Sequence, residues 1–195
     1  MKLVILDREG VLNRPVDGYV LKPQDWDPLP GAMDAIARLH HSGYRVAVAT
    51  NQAALSRGLF DMAMLNIIHH RMNRLAEAAG GAIDAIAICP HSPEQHCSCR
   101  KPQPGMLLEL IERFGVDPKE TIMIGDMAPD LQAGLAAGCN TWLVRSGHGQ
   151  ATIDAGEVPA SVRIAADLAE VVQRLLSPTD DGHPVQVGPV GRDRT

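Results

Sequence analysis

The stretch KLVILDREGVLN, Lys2 to Asn13, decides the fold class. Lys2 to Leu6 is an apolar run without polar alternation, which predicts a short strand inside a sheet covered on both faces. Asp7 and Glu9 follow at once, and Gly10 lets the chain turn away. Open α/β sheets bind their ligands in the crevice above the carboxyl ends of the strands, so acids at this tip stand where chemistry is done. Residues two apart in an extended segment point the same way. Asp7 and Glu9 are therefore placed to share a cation or to divide nucleophile and acid/base roles. The alternative is a strand that merely ends in solvated acids.

The same pattern recurs along the chain. After a Pro-, Asp- and Gly-rich stretch, residues 14–31, which reads as a lid over the first strand tip, helical spacing predicts a helix over Gly31 to Ser42. A strand over Tyr44 to Ala49 runs into Thr50-Asn51-Gln52, whose hydroxyl and amides are donors suited to a phosphoryl oxygen. Arg57 adds a nearby cation. A long helix from Asp61 to Ala79 carries Met64, Ile67, Ile68, Met72 and Leu75 as its core stripe. His69, His70, Arg71 and Arg74 fall on its polar side, and no function is assigned to them. Ala82 to Ile88 reads as a third strand.

A fourth strand, Thr121 to Ile124, ends in Gly125-Asp126, with Asp130 four residues on. Asp126 is placed to complete an oxygen-ligand site with Asp7. Asp130 either caps the next helix or orients Lys101. Beyond a small-residue helix over Leu131 to Ala137 come a strand over Asn140 to Val144, a loop at Gly147-His148-Gly149, and a short edge strand over Val162 to Ala165. A final helix, Asp167 to Leu176, is capped by Asp167. Repeated strand, loop and helix argue for an α/β fold with a doubly wound, Rossmann-like parallel sheet. One domain over residues 1–176 is expected, followed by a disordered tail from Ser177 onward.

With 195 residues and 45% hydrophobic content the chain suits one globular domain. A net charge of -5 and a pI near 5.9 argue against a general nucleic-acid binder, and 3% aromatic residues leave no stacking platform. No run approaches the roughly 20 apolar residues of a membrane span, and no basic-then-apolar signal segment precedes the first strand. A cytoplasmic protein acting as a monomer on a small molecule is expected, with neither nucleic acid nor membrane as partner.

Of the four cysteines, three cluster in CPHSPEQHCSCRK. Cys89, His91, Cys97 and Cys99 form C-x-H-x5-C-x-C, the donor set of a closed, structural Cys3His zinc site. His96 in place of His91, or a redox pair at Cys97 and Cys99, are the alternatives left open. Cys139 reads as a small buried hydrophobe. Arg100 and Lys101 leave this loop together, the first suited to bidentate anion binding and the second to reach a phosphate as a point charge.

The strand tips together resemble the four motifs of the haloacid dehalogenase superfamily of phosphatases: Asp7-x-Glu9-Gly10, Thr50-Asn51, Lys101, and Gly125-Asp126-x3-Asp130. The longer strings DREGVLN, VATNQAALSRGLF, CPH…CSCRKPQPGML and IGDMAPDLQAG are similar to the branch acting on heptose 1,7-bisphosphate or histidinol phosphate. The resemblance runs over residues 1 to 176. It implies Mg2+-dependent hydrolysis of D-glycero-D-manno-heptose 1,7-bisphosphate to the 1-phosphate, for lipopolysaccharide or related glycoconjugates. Asp7 would form an aspartyl phosphate, with Glu9 as acid/base. Asp7, Asp126 and the backbone carbonyl of Glu9 would hold the Mg2+. Thr50 and Lys101 would steady the phosphoryl group, and Arg8, Asp17, Tyr19, Asn51, Gln52 and Arg100 would contact substrate. Cys89, His91, Cys97 and Cys99 would hold Zn2+.

The chain departs from the family pattern at Glu9, where relatives carry Asp. The added methylene moves the proton donor by more than an ångström, a misplacement that costs on the order of a hundredfold in rate when nothing compensates. Ala53-Ala54 and Met127 are smaller departures, and they bear on substrate identity. Two other readings therefore stand beside the first: a phosphatase for histidinol phosphate or another small phosphomonoester, and a sugar-phosphate-binding paralogue weakened by Glu9.

Overall fold

β1 (Lys2–Leu6) lies at the centre of the molecule, with both its faces buried. Val4 and Leu6 pack into one apolar layer with Ile36, Leu39, Ile68, Met72, Val171 and Val172. Leu3 and Ile5 pack into the other, with Met106, Leu107, Leu110 and Ala133. Alternate side chains of one strand thus feed two helical layers, which is why the run shows no polar alternation.

The structure, a computed structural model, describes residues 2–177. The chain continues through α1 (Ala32–His41), β2 (Tyr44–Asn51), α2 (Ala53–Ser56), α3 (Met62–Ala78), β3 (Ala85–Cys89) and α4 (Gly105–Phe114). Then follow β4 (Thr121–Gly125), α5 (Ala128–Ala136), β5 (Asn140–Val144), α6 (Gly149–Asp154), β6 (Arg163–Ala165) and α7 (Leu168–Leu176). The six strands form one sheet in the order β3-β2-β1-β4-β5-β6, and every pairing is parallel. This is the doubly wound α/β sheet expected, with β6 at its edge.

The winding reverses at β1. The chain builds outward through β2 and β3, then returns to β4 on the opposite side of β1. The crevice for ligands in such a sheet opens at the carboxyl ends of the two strands flanking the reversal. Those ends are Asp7 and Asp126, and the Asp7 N–H donates to the Ile124 carbonyl at 2.9 Å, holding the two tips together.

Three local expectations are corrected. On α3 the buried residues are Leu65, Ile68, His69, Met72 and Ala76, whereas Ile67 is 52% exposed. The helix is rotated so that His69 faces inward, because a buried partner, Arg8, waits for it. Thr50 and Asn51 belong to β2 instead of following it, since the pairing with β3 extends to Asn51 and Cys89. Of the loop expected at Gly147-His148-Gly149, Gly147 and His148 do form a turn, but Gly149 is already the first residue of α6, with His148 as its N-cap. The tail expected to be disordered lies outside the described residues, apart from Ser177, which closes α7 through hydrogen bonds to the Gln173 carbonyl. No helix among the described residues is long and apolar enough to cross a membrane.

Candidate active site and cysteine cluster

Strand ends bring Asp7 from β1 and Asp126 from β4 to the crevice, and Asp130 reaches it from the first turn of α5. One carboxylate oxygen from each lies within 4.8 Å of the others. Into this cluster comes Lys101, from the segment between the cysteines and α4. Its Nζ donates to Asp7 Oδ1, Asp130 Oδ1 and the Ala49 carbonyl, each at 2.7 Å. An ammonium has three protons, so all of them are used within the protein. Lys101 therefore fixes the Asp7 carboxylate and supplies charge, and has no proton left over for a direct contact to a ligand.

Three carboxylates share one ammonium in a buried place, so their full ionisation would leave two negative charges uncompensated. Burial, with Asp130 beside it, raises Asp7 to about 6 despite Lys101, and burial with the neighbouring Asp7 and Asp130 raises Asp126 to about 8. Asp126 Oδ1 is buried and has no hydrogen-bond partner. An unsatisfied carboxylate oxygen and a twofold charge deficit are what a divalent, oxygen-seeking cation would relieve, so the residues fit Mg2+.

Asp126 is held from an unexpected quarter. The His148 N–H donates to its Oδ2 at 2.8 Å, and Thr152 on α6 donates to its carbonyl at 2.9 Å. Gly147 makes that approach possible: with φ of 63°, its added Cβ would lie 2.3 Å from Asp126 Oδ2 and 2.4 Å from Gly10 Cα. Asp130 Oδ2 accepts from the N–H groups of Asp126 and Met127, so it both caps α5 and orients Lys101. The Gly-His-Gly stretch was the one sequence signal for the support from α6, and its partner lies about twenty residues upstream.

Thr50 is buried at the tip of β2, where Gln52 Nε2 donates to its Oγ1 at 2.8 Å. A hydroxyl that accepts one bond keeps its own proton to donate, and that proton is free for a phosphoryl oxygen. Asn51 is tied to the backbone of Lys101 in both directions, donating to its carbonyl and accepting from its N–H at 3.1 Å each. Both amides expected to contact substrate are thus engaged inside the protein, Gln52 fixing Thr50 and Asn51 fixing Lys101.

Arg8 departs from expectation more sharply. It is fully buried. Its Nη2 donates to Glu9 Oε1 at 2.7 Å, and its Nη1 stands 3.4 Å from His69 Nε2. Glu9 keeps a partly exposed carboxylate beside Arg8 and does not join the cluster of Asp7, Asp126 and Asp130. The sharing of a cation between the two side-chain carboxylates of Asp7 and Glu9 is therefore not what the structure shows. Asp17 is exposed and makes no hydrogen bond or ion pair among the described residues, while the Tyr19 ring lies 5.7 Å from the Arg57 guanidinium.

Beside the crevice, Cys89, His91, Cys97 and Cys99 converge. Their sulfur atoms are 3.3 to 3.6 Å apart, and His91 Nδ1 lies 3.6 Å from Cys89 Sγ and 3.3 Å from Cys99 Sγ. A tetrahedral zinc with roughly 2.3 Å bonds to sulfur needs edges of about 3.8 Å, so the four atoms stand close to where the ion would hold them. His96 is exposed and outside the cluster. Cys139 is buried alone, its thiol pushed up to about 12 by that burial. The same loop, with Arg100 and Lys101, lines a cavity of about 480 Å3. Arg100 is anchored by its Nη1 to the His91 carbonyl at 3.1 Å.

The family described as haloacid dehalogenase-like hydrolase matches residues 1–138. The chain is 48% identical over 176 residues to the D-glycero-beta-D-manno-heptose-1,7-bisphosphate 7-phosphatase of Bordetella bronchiseptica, covering 90% of this chain and 98% of that protein. It is 42% identical to the protein of the same name from Pseudomonas putida, over 90% of this chain and all of that one. Among solved structures, it is similar to the B. bronchiseptica D,D-heptose 1,7-bisphosphate phosphatase complexed with magnesium and phosphate, with a TM-score of 0.88 over 90% of this chain and 98% of that one. The corresponding enzyme from Burkholderia thailandensis is 43% identical, with a TM-score of 0.72 over 91% of this chain and 99% of that one.

Proposed function

The chain belongs to the haloacid dehalogenase-like hydrolases, and on that premise we propose that it is a Mg2+-dependent phosphatase converting D-glycero-D-manno-heptose 1,7-bisphosphate to the 1-phosphate. The observation that carries the reading is Asp7, gripped by Lys101 at the switch point of the sheet and clustered with Asp126, whose Oδ1 has no hydrogen-bond partner. Relatives at 42 to 48% identity over nine-tenths of the chain bear that activity in their names, which supports the choice of substrate.

Asp7 is the nucleophile. One of its carboxylate oxygens bonds to phosphorus as the bond from phosphorus to the sugar oxygen breaks, and Glu9 gives that oxygen its proton. In the second half, water bonds to phosphorus and loses a proton to Glu9. The bond to Asp7 then breaks, its electron pair returning to the carboxylate. Thr50 donates to the phosphoryl oxygens, and Lys101 keeps Asp7 ionised and aimed. Asp7, Asp126 and the backbone carbonyl of Glu9 hold Mg2+, whose charge, when bound, offsets the negative charge of the phosphoryl group. Arg100, lining the cavity, meets the substrate's remaining anionic group. Asp17 and Tyr19 approach the sugar from the lid. Cys89, His91, Cys97 and Cys99 bind a structural Zn2+ that stiffens the loop presenting Arg100 and Lys101. The chain acts as a monomer in the cytoplasm.

The test is phosphate release from the heptose bisphosphate with Mg2+, in this chain and in Asp7→Asn and Glu9→Asp. Release by the unaltered chain, lost in Asp7→Asn, is the expected outcome. The position of Glu9 outside the cluster of Asp7, Asp126 and Asp130 favours one second reading, a binding protein silenced at Glu9; release by Glu9→Asp alone would establish it. Release from histidinol phosphate but not from the heptose bisphosphate would move the substrate and leave the chemistry intact.

A further inference from the structure

We propose that Arg8 and His69 are positioning residues for Glu9, forming a buried tether that sets where the longer acid/base side chain of this protein holds its carboxylate. The inference rests on the phosphatase reading above. The guanidinium of Arg8 is fully buried, and its two terminal nitrogens are divided between two partners. Nη2 meets Glu9 Oε1 at 2.7 Å and Nη1 meets His69 Nε2 at 3.4 Å. Because the guanidinium is planar and rigid, fixing one arm fixes the other.

The far end of the tether is firm. His69 sits inside α3, in the helical layer packed against β1 and β2, and is 7% exposed. Burial and the neighbouring Arg8 cation lower it to about 4, so at neutral pH the ring is uncharged and Nε2 offers a lone pair to the guanidinium. A cation buried this deeply needs compensation. Among the described residues Arg8 has one anionic partner, Glu9, and its Nε has no partner at all. Glu9 is therefore drawn to a single place by a buried charge, while its partly exposed carboxylate stays accessible.

Glu has one more rotatable bond than Asp, and its carboxyl reaches about 1.5 Å further. Left untethered, that extra reach would spread the proton donor over several positions, and rate falls steeply with misplacement. Asp at the same position would be placed by its own backbone, without help from α3. The tether therefore matters to a chain carrying Glu9 and not to one carrying Asp.

The experiment compares His69→Leu and His69→Gln, each alone and combined with Glu9→Asp, by steady-state phosphate release with Mg2+ and heptose bisphosphate. In the Glu9 chain, His69→Leu is expected to lower kcat roughly tenfold with KM changed less than twofold. His69→Gln, whose amide oxygen accepts from the same arm, recovers most of the loss. In the Glu9→Asp chain the same His69 substitutions change kcat less than twofold. Equal losses in both backgrounds, or none in either, overturn the proposal. Crystals of metal-free His69→Leu supply a readout independent of activity. A Glu9 carboxylate that leaves Arg8 or occupies several positions supports the tether, and one unchanged in place refutes it. Absence of phosphate release from every Glu9 and Glu9→Asp chain would instead count against the phosphatase reading, with the crystallographic comparison still deciding the tether.

Discussion

Lys101 Nζ donates to Asp7 Oδ1 at 2.7 Å, although the two residues stand 94 positions apart in the chain. The contact joins the first strand tip to the cysteine loop, and Asn51 braces it by holding the Lys101 backbone from both sides. With its other protons on Asp130 and Ala49, the ammonium is tetrahedrally satisfied, a geometry a planar guanidinium does not reproduce.

Lys101→Met is therefore expected to lower kcat/KM by about a hundredfold to a thousandfold, the cost of losing one preorganised electrostatic group. It also leaves Asp7 and Asp130 buried without their counter-ion, at a cost of about 3 kcal/mol or more in unfolding free energy. Lys101→Arg does not restore the rate. Phosphate-release kinetics together with urea unfolding check both parts, and near-normal turnover in either variant would refute the assigned role.

How far the site could be foreseen depended on whether its cause was local. The acids at the tips of β1 and β4, and the C-x-H-x5-C-x-C spacing, are local: each needs only an apolar run or a short loop to be recognised. The inward turn of His69 is not. Helical periodicity assigned it to the polar side of α3 with Ile67 in the core, yet Ile67 is exposed and His69 buried. The decisive partner, Arg8, comes from the tip of another element 61 residues away. The same holds for Asn51 and Gln52, whose donors looked free because their partners, Lys101 and Thr50, become neighbours only when the sheet forms. The support of Asp126 by His148 and Thr152 likewise depends on β5 lying beside β4.

The cysteine cluster gives a second expectation. Metal analysis of the purified protein should find one zinc ion per chain, and Cys99→Ser should abolish it. Loss of a structural ion costs a loop of this kind a few kcal/mol, which for a domain of this size lowers Tm by about 5 °C or more. Because Arg100 and Lys101 follow the cluster directly, kcat/KM should fall along with Tm. Zinc-free protein of unchanged Tm would refute the assignment.

Gly147 tests the support of Asp126. Gly147→Ala places a methyl 2.3 Å from Asp126 Oδ2 and imposes a side chain on a backbone with φ of 63°. The left-handed conformation alone costs roughly 1–2 kcal/mol, and the clash must be relieved by moving Asp126. The expected result is weaker activation by Mg2+, seen as a higher half-saturating concentration, with substrate KM changed less. An unchanged Mg2+ response would show that the Gly147 contact does not position Asp126.

The charge deficit at the site predicts how metal-free stability depends on pH. Burial and the neighbouring acids raise Asp126 to about 8, whereas the unfolded chain loses the same proton near 3.8. Between those values the folded state binds more protons than the unfolded one, so stability falls as pH rises and levels off above about 8. Asp7, raised to about 6, adds the same sign over a narrower window. Buried His69, lowered from 6.5 to about 4, acts oppositely but only below about pH 6.5. Metal-free protein should therefore melt at a lower temperature at pH 8.5 than at pH 7. Added Mg2+ should stabilise it more at the higher pH, because the cation replaces protons it no longer has to displace. Asp126→Asn removes the uncompensated charge while keeping an acceptor for His148. It should raise the melting temperature of the metal-free protein at pH 8.5, flatten its pH dependence and abolish phosphate release. A substitution that stabilises the fold while silencing the enzyme would identify Asp126 as a residue held at a cost for the sake of its cation. Destabilisation by Asp126→Asn at pH 8.5 would show instead that its charge is already balanced within the protein.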